Sequence, residues 1–542
     1  MQQRIIINLN TDSKTTDKTT ILEYCRSHGI AGIETPCGGK GTCGKCKVTV
    51  TKPYYKDVLA CQTKICDGME IIVGRKESTG TKEDSMVVLT NGENVSEKFN
   101  EHVNRNVVLK EETANESEKV ESNEDTLAAC DIGTTTVVCY LIDKETGQII
   151  STRSGANSQR SFGADVLSRI DAAARADDND KANGGLKMMQ TQIVSLLNGW
   201  ISEMLTECGR TKVCRFSVAG NTVMCHLLMG ISPEKLGKAP FMPDEYFGRK
   251  FNPLDIGLEN CQTMIIFPAV SGFVGGDITA GMMETVNCNE LTLYLDIGTN
   301  GEMALGKGDR YVCCATAAGP AFEGAQIEQG MPASKGAVDK VWLEGRRIKY
   351  SVIGNDRPVG LCGSGLIDAL AVLLKAGIID ENGTILSGQE LPILFRSYVF
   401  EVEAEETAHS TEPSLAVHIA PGVYITQEDI RKLQLAKGAI AAGIEVLFKE
   451  YGCTPCNIDV LTFAGGFGNY IDKASAAAIG LFPQELFDKA KEVGNAAGNG
   501  AVSAALSQEA WERALEISKD MRYIELASYP SFDEMYVEHM NF

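Results

Sequence analysis

Leu295-Asp296-Ile297-Gly298-Thr299-Asn300-Gly301-Glu302 reads as a turn between two apolar runs, and the chain has already carried its likeness at Asp131-Ile132-Gly133-Thr134-Thr135-Thr136. Each copy closes a β-prone run (Leu291–Leu295 or Leu127–Cys130) and opens another (Met303–Leu305 or Val137–Ile142), so each reads as a hairpin. Glycine lets a backbone approach an anion closely, exposed N–H groups and Thr hydroxyls can hold phosphate oxygens, and an Asp can hold Mg²⁺ or a water. The candidate nucleotide contacts are therefore Gly133, Thr134 and Thr135 in the first copy and Gly298, Thr299, Asn300 and Gly301 in the second, with Asp131 and Asp296 beside them. A single D-x-G-T is usually just a turn, and any one such Asp can be an Asx-turn or helix-cap residue. Two copies about 165 residues apart, in one strand–turn–strand setting, predict a duplicated α/β domain closing on one nucleotide.

A chain of 542 residues is too long for one core and implies several domains. Its 44% hydrophobic and 23% charged residues are ordinary for a globular protein. A formal net charge of −21 argues against nucleic acid and against an anionic membrane surface as partners. No apolar run approaches the length of a membrane span, and Met1-Gln2-Gln3-Arg4 opens no signal-peptide core, so a cytoplasmic location is expected. Eighteen cysteines are many for that compartment. Most, such as Cys139, Cys208 and Cys225, sit singly in apolar segments and read as small buried hydrophobes. One cluster does not.

That cluster lies in the N-terminal segment. Arg4–Asn10 reads as a strand, Thr20-Ile21-Leu22-Glu23 as a capping box opening a short helix with Ile21, Leu22 and Cys25 on one face, and Lys47–Thr51 and Glu70–Val73 as strands. Between them Cys37, Cys43, Cys46 and Cys61 are spaced C-x5-C-x2-C-x14-C, three of them on a glycine-rich loop. A zinc site would pair two short-spaced knuckles, and the second is missing. A four-iron ferredoxin would show C-x2-C-x2-C. Three cysteines on one loop plus a distant fourth suit a [2Fe-2S] cluster, as in the plant-type C-x4-C-x2-C spacing with one residue added. Cys66, just beyond the set, reads as a spectator. The strand–helix–loop–strand order resembles the β-grasp ferredoxins.

From Arg75 to about Thr126 the composition changes: Phe99 is the only aromatic, and Glu111–Asp125 is dominated by Glu, Ser, Asn and Lys. Such a stretch cannot bury enough apolar surface to fold alone and reads as a tether, with Met86–Leu89 or Val107–Leu109 as short ordered pieces. Strands and helices alternate thereafter, with helices over Val166–Ala174, Met188–Leu205, Ile278–Thr285 and Thr426–Tyr451 and strands over Val213–Ala219 and Val460–Thr462. The expected boundaries are a ferredoxin-like domain over 1–80, an acidic linker over 81–126, and a nucleotide-binding body over 127–542 in two halves, 127–290 and 291–542.

Two such hairpins followed by the strand–GG turn Phe463-Ala464-Gly465-Gly466-Phe467-Gly468-Asn469 resemble the superfamily of actin, hexokinase and heat-shock chaperone ATPases. The resemblance implies an α/β ASKHA body, a duplicated ribonuclease H-like fold, behind an α+β ferredoxin head. It places Gly465, Gly466 and Phe467 against adenosine, Asp277 as base or Mg²⁺ anchor, and Asp131 and Asp296 near the β- and γ-phosphates. Over nearly its full length the chain is similar to the reductive activators of corrinoid-dependent methyltransferases. The resemblance is carried also by Leu59-Ala-Cys-Gln-Thr63, Phe162-Gly-Ala-Asp-Val166, Gly220-Asn-Thr222, Ser271–Gly281, Ala318-Gly-Pro-Ala-Phe-Glu-Gly324 and Leu361-Cys-Gly-Ser-Gly-Leu366. The linker is shorter than in activators of the corrinoid iron–sulfur protein, leaving little room for a separate middle domain, and no cysteine follows Cys456 to build the four-iron clusters of some archaeal activators. Both departures point to activators of the bacterial O-demethylase or methylamine type.

The resemblance implies that the protein returns a corrinoid from inactive Co(II) to Co(I) with one electron from the cluster. That couple lies below ordinary [2Fe-2S] donors at about −400 mV, and a one-electron gap costs roughly tenfold in equilibrium constant per 59 mV. MgATP would close the gap. The implied partners are a corrinoid protein, a low-potential ferredoxin- or flavodoxin-like donor, and a second copy of the chain. The glycine-rich Ala315–Met331 segment is a core loop before it is a corrinoid-facing one. Two rivals remain at this stage: an activator of a radical dehydratase or reductase, for which Cys313-Cys314 and Cys453-x2-Cys456 are the only candidate ligands, and a chaperone-like ATPase that loads corrinoid.

Overall fold

The structure, a computed structural model, describes residues 4–9, 19–27, 33, 46–53, 56–66, 68–74, 126–174, 184–402, 414–465 and 471–542. The expected linker pieces at Met86–Leu89 and Val107–Leu109 lie outside these residues. The N-terminal module comprises β1 (Arg4–Leu9), α1 (Ile21–Ser27), β2 (Lys47–Lys52), β3 (Lys56–Leu59) and β4 (Met69–Gly74), in an antiparallel sheet of order β1-β4-β2-β3. The capping box forms: the Thr20 N–H donates to Glu23 Oε2 at 2.7 Å and the Glu23 N–H to Thr20 Oγ1 at 3.3 Å. Ile21, Leu22 and Cys25 are buried with Val48, Val50, Met69 and Ile71. β3 was not expected. Lys56-Asp57-Val58-Leu59 has little apolar character of its own and is held as a charged edge strand by pairing with β2, with Thr49 Oγ1 donating to Asp57 Oδ1 at 2.6 Å.

Beyond the module the described chain contributes two compact units, the first including 126–174, 184–277 and 500–512 and the second 278–402, 414–465, 471–499 and 513–542. In the first, β5 (Thr126–Ile132), β6 (Thr136–Asp143), β7 (Ile149–Ala156), β8 (Val213–Gly220), β9 (Arg249–Phe251) and β10 (Cys261–Ile266) form a sheet of order β7-β6-β5-β8-β10-β9. β5–β6–β7 is an antiparallel meander, while β8 and β10 add in parallel on the other side of β5. Parallel neighbours need crossovers; α2 (Val166–Ala174) and α3 (Gly185–Glu207) lie between β7 and β8, and α4 (Thr222–Met229) between β8 and β9. α5 (Gly276–Thr285) starts two residues earlier than its apolar pattern suggested, placing Asp277 in its first turn.

The second unit repeats the plan. β11 (Thr292–Ile297), β12 (Gly301–Lys307) and β13 (Arg310–Thr316) form the meander. After it comes a region with β14 (Ala337–Glu344), β15 (Arg347–Val352), β16 (Gly360–Leu361), α6 (Gly363–Lys375), β17 (Val399–Val402), β18 (Ser414–Ala420) and β19 (Val423–Thr426), whose strands make two three-stranded sheets. Thr426, expected as the first helical residue, is instead the N-cap of α7 (Gln427–Tyr451), in a capping box with Asp429. β20 (Val460–Ala464), β21 (Ala490–Glu492) and β22 (Met521–Tyr523) complete a sheet of order β21-β20-β11-β12-β13-β22. β20 pairs parallel to β11 and β21 parallel to β20. Leaving aside the edge strands β9 and β22, and counted from its own D-I-G-T hairpin, each sheet therefore runs third–second–first–fourth–fifth with the same strand directions. The duplication read from two short turns is a duplication of whole sheets.

Candidate functional site

Cys46 enters β2 and Cys61 lies in the turn leaving β3. The β2–β3 register, Lys47 opposite Leu59, carries these two residues to the same end of the hairpin, where the Ala60 N–H donates to the Cys46 carbonyl at 2.9 Å. Their sulfurs lie 3.2 Å apart, without a disulfide. Two thiols converging at the mouth of a hairpin fit two ligands of one iron, and thiolate is the donor an iron–sulfur cluster requires. Cys37 and Cys43 fall outside the described residues. Cys66 is exposed; Cys25 is buried on α1, and burial pushes its thiol up to about 11. Cys313 and Cys314 are buried on β13, where successive side chains point to opposite faces, and burial pushes both thiols up. Among the described residues no set of three acidic, His or Cys side chains forms a further metal site.

The β5–β6 turn is held from three directions. The Gly133 N–H donates to the Thr136 carbonyl at 2.9 Å, closing the turn. Asn157, after β7, donates from Nδ2 to the Gly133 carbonyl at 2.8 Å, and its own N–H donates to the Thr135 carbonyl at 2.9 Å. Asn221 caps α4, accepting from the Met224 N–H at 2.9 Å, and donates from Nδ2 to Thr134 Oγ1 at 3.0 Å. The third hold is Arg169 of α2, fully buried, whose guanidinium donates to the carbonyls of Gly163 and Thr134 and contacts Met224 Sδ. Burial, with Arg160 nearby, pulls its pKa down to about 9 against the pull of Asp165. Thus Phe162-Gly-Ala-Asp-Val166 and Gly220-Asn-Thr222, far apart in sequence, both serve this turn. Gly275 continues the packing, since a Cβ there would lie 2.6 Å from the Asn221 Cα and the Thr222 N. Asp277 follows immediately. Burial raises the Cys225 thiol and the charges of Asp277 and Asp131 raise it further, which puts both carboxylates in its neighbourhood. Asp131 and Asp277 are themselves half-buried.

In the second unit Asp296 stands opposite Ala464 in the parallel β11–β20 pair, so Gly465 arrives beside it. Gly465 has φ +83°, and a Cβ on it would lie 2.3 Å from Asp296 Oδ1: the position requires glycine for conformation and for space. The Gly298 N–H donates to the Asn300 carbonyl at 2.9 Å, and Gly301 begins β12. Thr299 Oγ1 lies 3.1 and 3.2 Å from the two carboxylate oxygens of Glu323, and Asn300 Nδ2 donates to Glu302 Oε1 at 3.2 Å. Gly466 and Phe467 lie outside the described residues. The Ala315–Met331 segment is a core loop: its first two residues end β13, and Ala318, Ala321, Phe322 and Ile327 are buried. Cys362 and Ser364 likewise begin a helix: Cys362 is the N-cap of α6, and Ser364 Oγ donates to the Asp339 carbonyl at 2.8 Å.

Sequence reasoning passed over Asn157, Arg169 and Glu323. Only Arg169 left a signal, a cation among the apolar positions Val166, Ile170 and Ala173 of one helical face. Asn157 and Glu323 gain their meaning from partners brought by the fold.

Residues 7–66 match the family described as the 2Fe-2S iron-sulfur cluster binding domain, residues 127–287 the RACo middle region, and residues 290–542 the C-terminal domain of RACo, the ASKHA domain. The middle-region match falls on the first ribonuclease H-like sheet. The chain is 32% identical to a corrinoid activation enzyme, RamQ, of Eubacterium limosum, covering 97% of this chain and 96% of that protein. It is 25% identical to the [Co(II) methylated amine-specific corrinoid protein] reductase of Methanosarcina barkeri, covering 76% of each. Among solved structures it is similar to a reductive activator for corrinoid, iron-sulfur protein, with TM-score 0.66, 30% identity, and coverage of 97% of this chain and 96% of that one. With its ferredoxin-type head and duplicated ASKHA body, the chain belongs to the RACo family of corrinoid activators.

Proposed function

We propose that the protein is an ATP-dependent iron–sulfur oxidoreductase that reactivates a corrinoid protein, returning its cobalt from Co(II) to Co(I). The observation that carries the proposal is the Cys46–Cys61 sulfur pair at 3.2 Å, in a 2Fe-2S head joined to a body whose two sheets each end in a D-I-G-T turn. Cys37, Cys43, Cys46 and Cys61 would hold the cluster, which supplies one electron at low potential. Gly133, Thr134 and Thr135, Gly298 to Gly301, and Gly465 to Phe467 would contact MgATP, with Asp131, Asp277 and Asp296 acting on the metal ion and water at its phosphates. In this reading 1–80 is the electron-carrying domain, 81–126 a tether and 127–542 the ATPase body. A low-potential ferredoxin- or flavodoxin-like protein supplies electrons, and the chain works as a homodimer.

The chain's own residues have three tasks. The four cysteines would hold the cluster that carries the electron, the turns convert nucleotide binding and hydrolysis into a change of state, and the body docks the corrinoid protein. The test is anaerobic: a Co(II) corrinoid protein, a low-potential reductant and the full chain, followed by visible spectra with and without MgATP. Growth of the Co(I) band only with MgATP, its loss in Cys43→Ala and in Asp296→Asn, and unchanged corrinoid content in the partner are expected. A Cys43→Ala variant that still yields Co(I), or one that acts by loading corrinoid, would overturn the proposal.

A further inference from the structure

Thr134 and Thr299 are the same residue in the two copies of the turn, yet their hydroxyls are wired oppositely. A hydroxyl has one proton to give and two lone pairs to receive with. At Thr134 the partner is Asn221 Nδ2, 3.0 Å away. The Asn221 amide cannot be reversed, because its oxygen is committed to the Met224 N–H at 2.9 Å as the cap of α4. The NH2 therefore faces Thr134, has no lone pair to offer, and can only donate. The Thr134 proton is left pointing elsewhere, and among the described residues it has no acceptor. At Thr299 the partner is the Glu323 carboxylate, 3.1 and 3.2 Å away, which can only accept. The Thr299 proton is spent there, and the turn is left with oxygen lone pairs.

We propose that the two turns are chemically inequivalent: Thr134, with Asn221 as its positioning residue, donates its hydroxyl proton to a phosphate oxygen of the nucleotide, whereas Thr299, tied to Glu323, does not. The first turn is a donor site for an anion, built from N–H groups, an oriented hydroxyl and the buried Arg169 cation behind the Thr134 carbonyl. The second, with Asp296, Glu302 and Glu323 about it, offers acceptors, which suit the protons of water rather than phosphate. This inference rests on the reading that the turns serve a nucleotide, and the two can fail separately.

The experiment measures MgATP binding by calorimetry and phosphate release for the full-length, cluster-loaded protein and five variants: Thr134→Val, Thr134→Ser, Thr299→Val, Glu323→Gln and Asn221→Asp. Thr134→Val should weaken MgATP binding by roughly tenfold or more, and Thr134→Ser should restore it, because a charge-assisted hydrogen bond is lost and regained. Thr299→Val and Glu323→Gln should lose clearly less affinity than Thr134→Val but release phosphate more slowly by about tenfold, the split expected when an interaction matters chiefly in the transition state. Asn221→Asp should mimic Thr134→Val in affinity while keeping the helix cap, since its carboxylate takes up the Thr134 proton and repels phosphate. Equal losses of affinity in Thr134→Val and Thr299→Val, or parental affinity in Thr134→Val, overturn the inference. A parent protein that binds no MgATP overturns the nucleotide reading itself.

Discussion

At single residues, some contacts tolerate no substitute. Gly465 is the clearest, because a methyl group there meets Asp296 Oδ1 at 2.3 Å in a backbone conformation that costs an L-residue about 1–2 kcal/mol. Gly465→Ala should displace the Asp296 carboxylate and slow phosphate release by about tenfold or more, with the visible spectrum of the cluster unchanged; parental turnover would show that Asp296 has no catalytic duty. Arg169→Met should leave the Thr134 and Gly163 carbonyls without donors and lower stability by roughly 1–3 kcal/mol, with weaker MgATP binding, as read by denaturant melts and calorimetry. Asp131, Gly133, Asp296 and Gly298 were legible in the sequence because glycine and a short acidic side chain at a strand end announce a turn by local chemistry. Glu323 and Asn157 were not, since nothing local marks a side chain whose partner is about 24 residues away.

Elements were legible where their signals were local. Thr20 and Glu23 are three residues apart, and the capping box they form in sequence is the one they form in space. Thr20→Ala should lower the melting of the N-terminal module by about 1 kcal/mol, seen as earlier loss of the cluster's visible bands on heating while the helical far-ultraviolet signal of the body holds. The edge strand β3 was invisible because half of it is charged, and its pairing with β2 supplies what its composition lacks. The two small sheets built from β14 to β19 were also missed: β16, β17 and β19 are short, and β14 and β15 are only partly buried, so the alternation that marks a strand is weak. The common strand order of the two large sheets could not be read from hairpins alone. It depends on β8 and β20 pairing back onto β5 and β11 across long crossovers.

On the scale of the whole molecule, stability has a pH signature as well as a composition. Lys437 of α7 is buried, donates from Nζ to the His539 carbonyl at 2.7 Å and to that of Asn541, and lies 5.5 Å from the Phe542 ring centre, tying residues 539–542 to the body. Desolvation lowers its pKa from 10.5 to about 8. Between those values the unfolded chain holds a proton that the folded chain has shed, so this residue's contribution makes stability rise with pH across that window and leaves the cost of the buried charge in full below it. Denaturant melts of the parent and Lys437→Met at pH 7 and pH 9.5 should show the parent gaining on the variant at the higher pH; a constant difference would mean that Lys437 titrates normally.

The N-terminal module should give its electron to cobalt only when the body is driven by MgATP. The most direct measurement is a single turnover without external reductant: the full chain is reduced, freed of excess reductant, mixed anaerobically with a Co(II) corrinoid protein, and followed in the visible region before and after MgATP. No change is expected on mixing, then cluster oxidation and Co(I) appearance together, one cluster electron per cobalt, on adding MgATP. Co(I) formed at the same rate without nucleotide, or cluster oxidation with no Co(I), would contradict this.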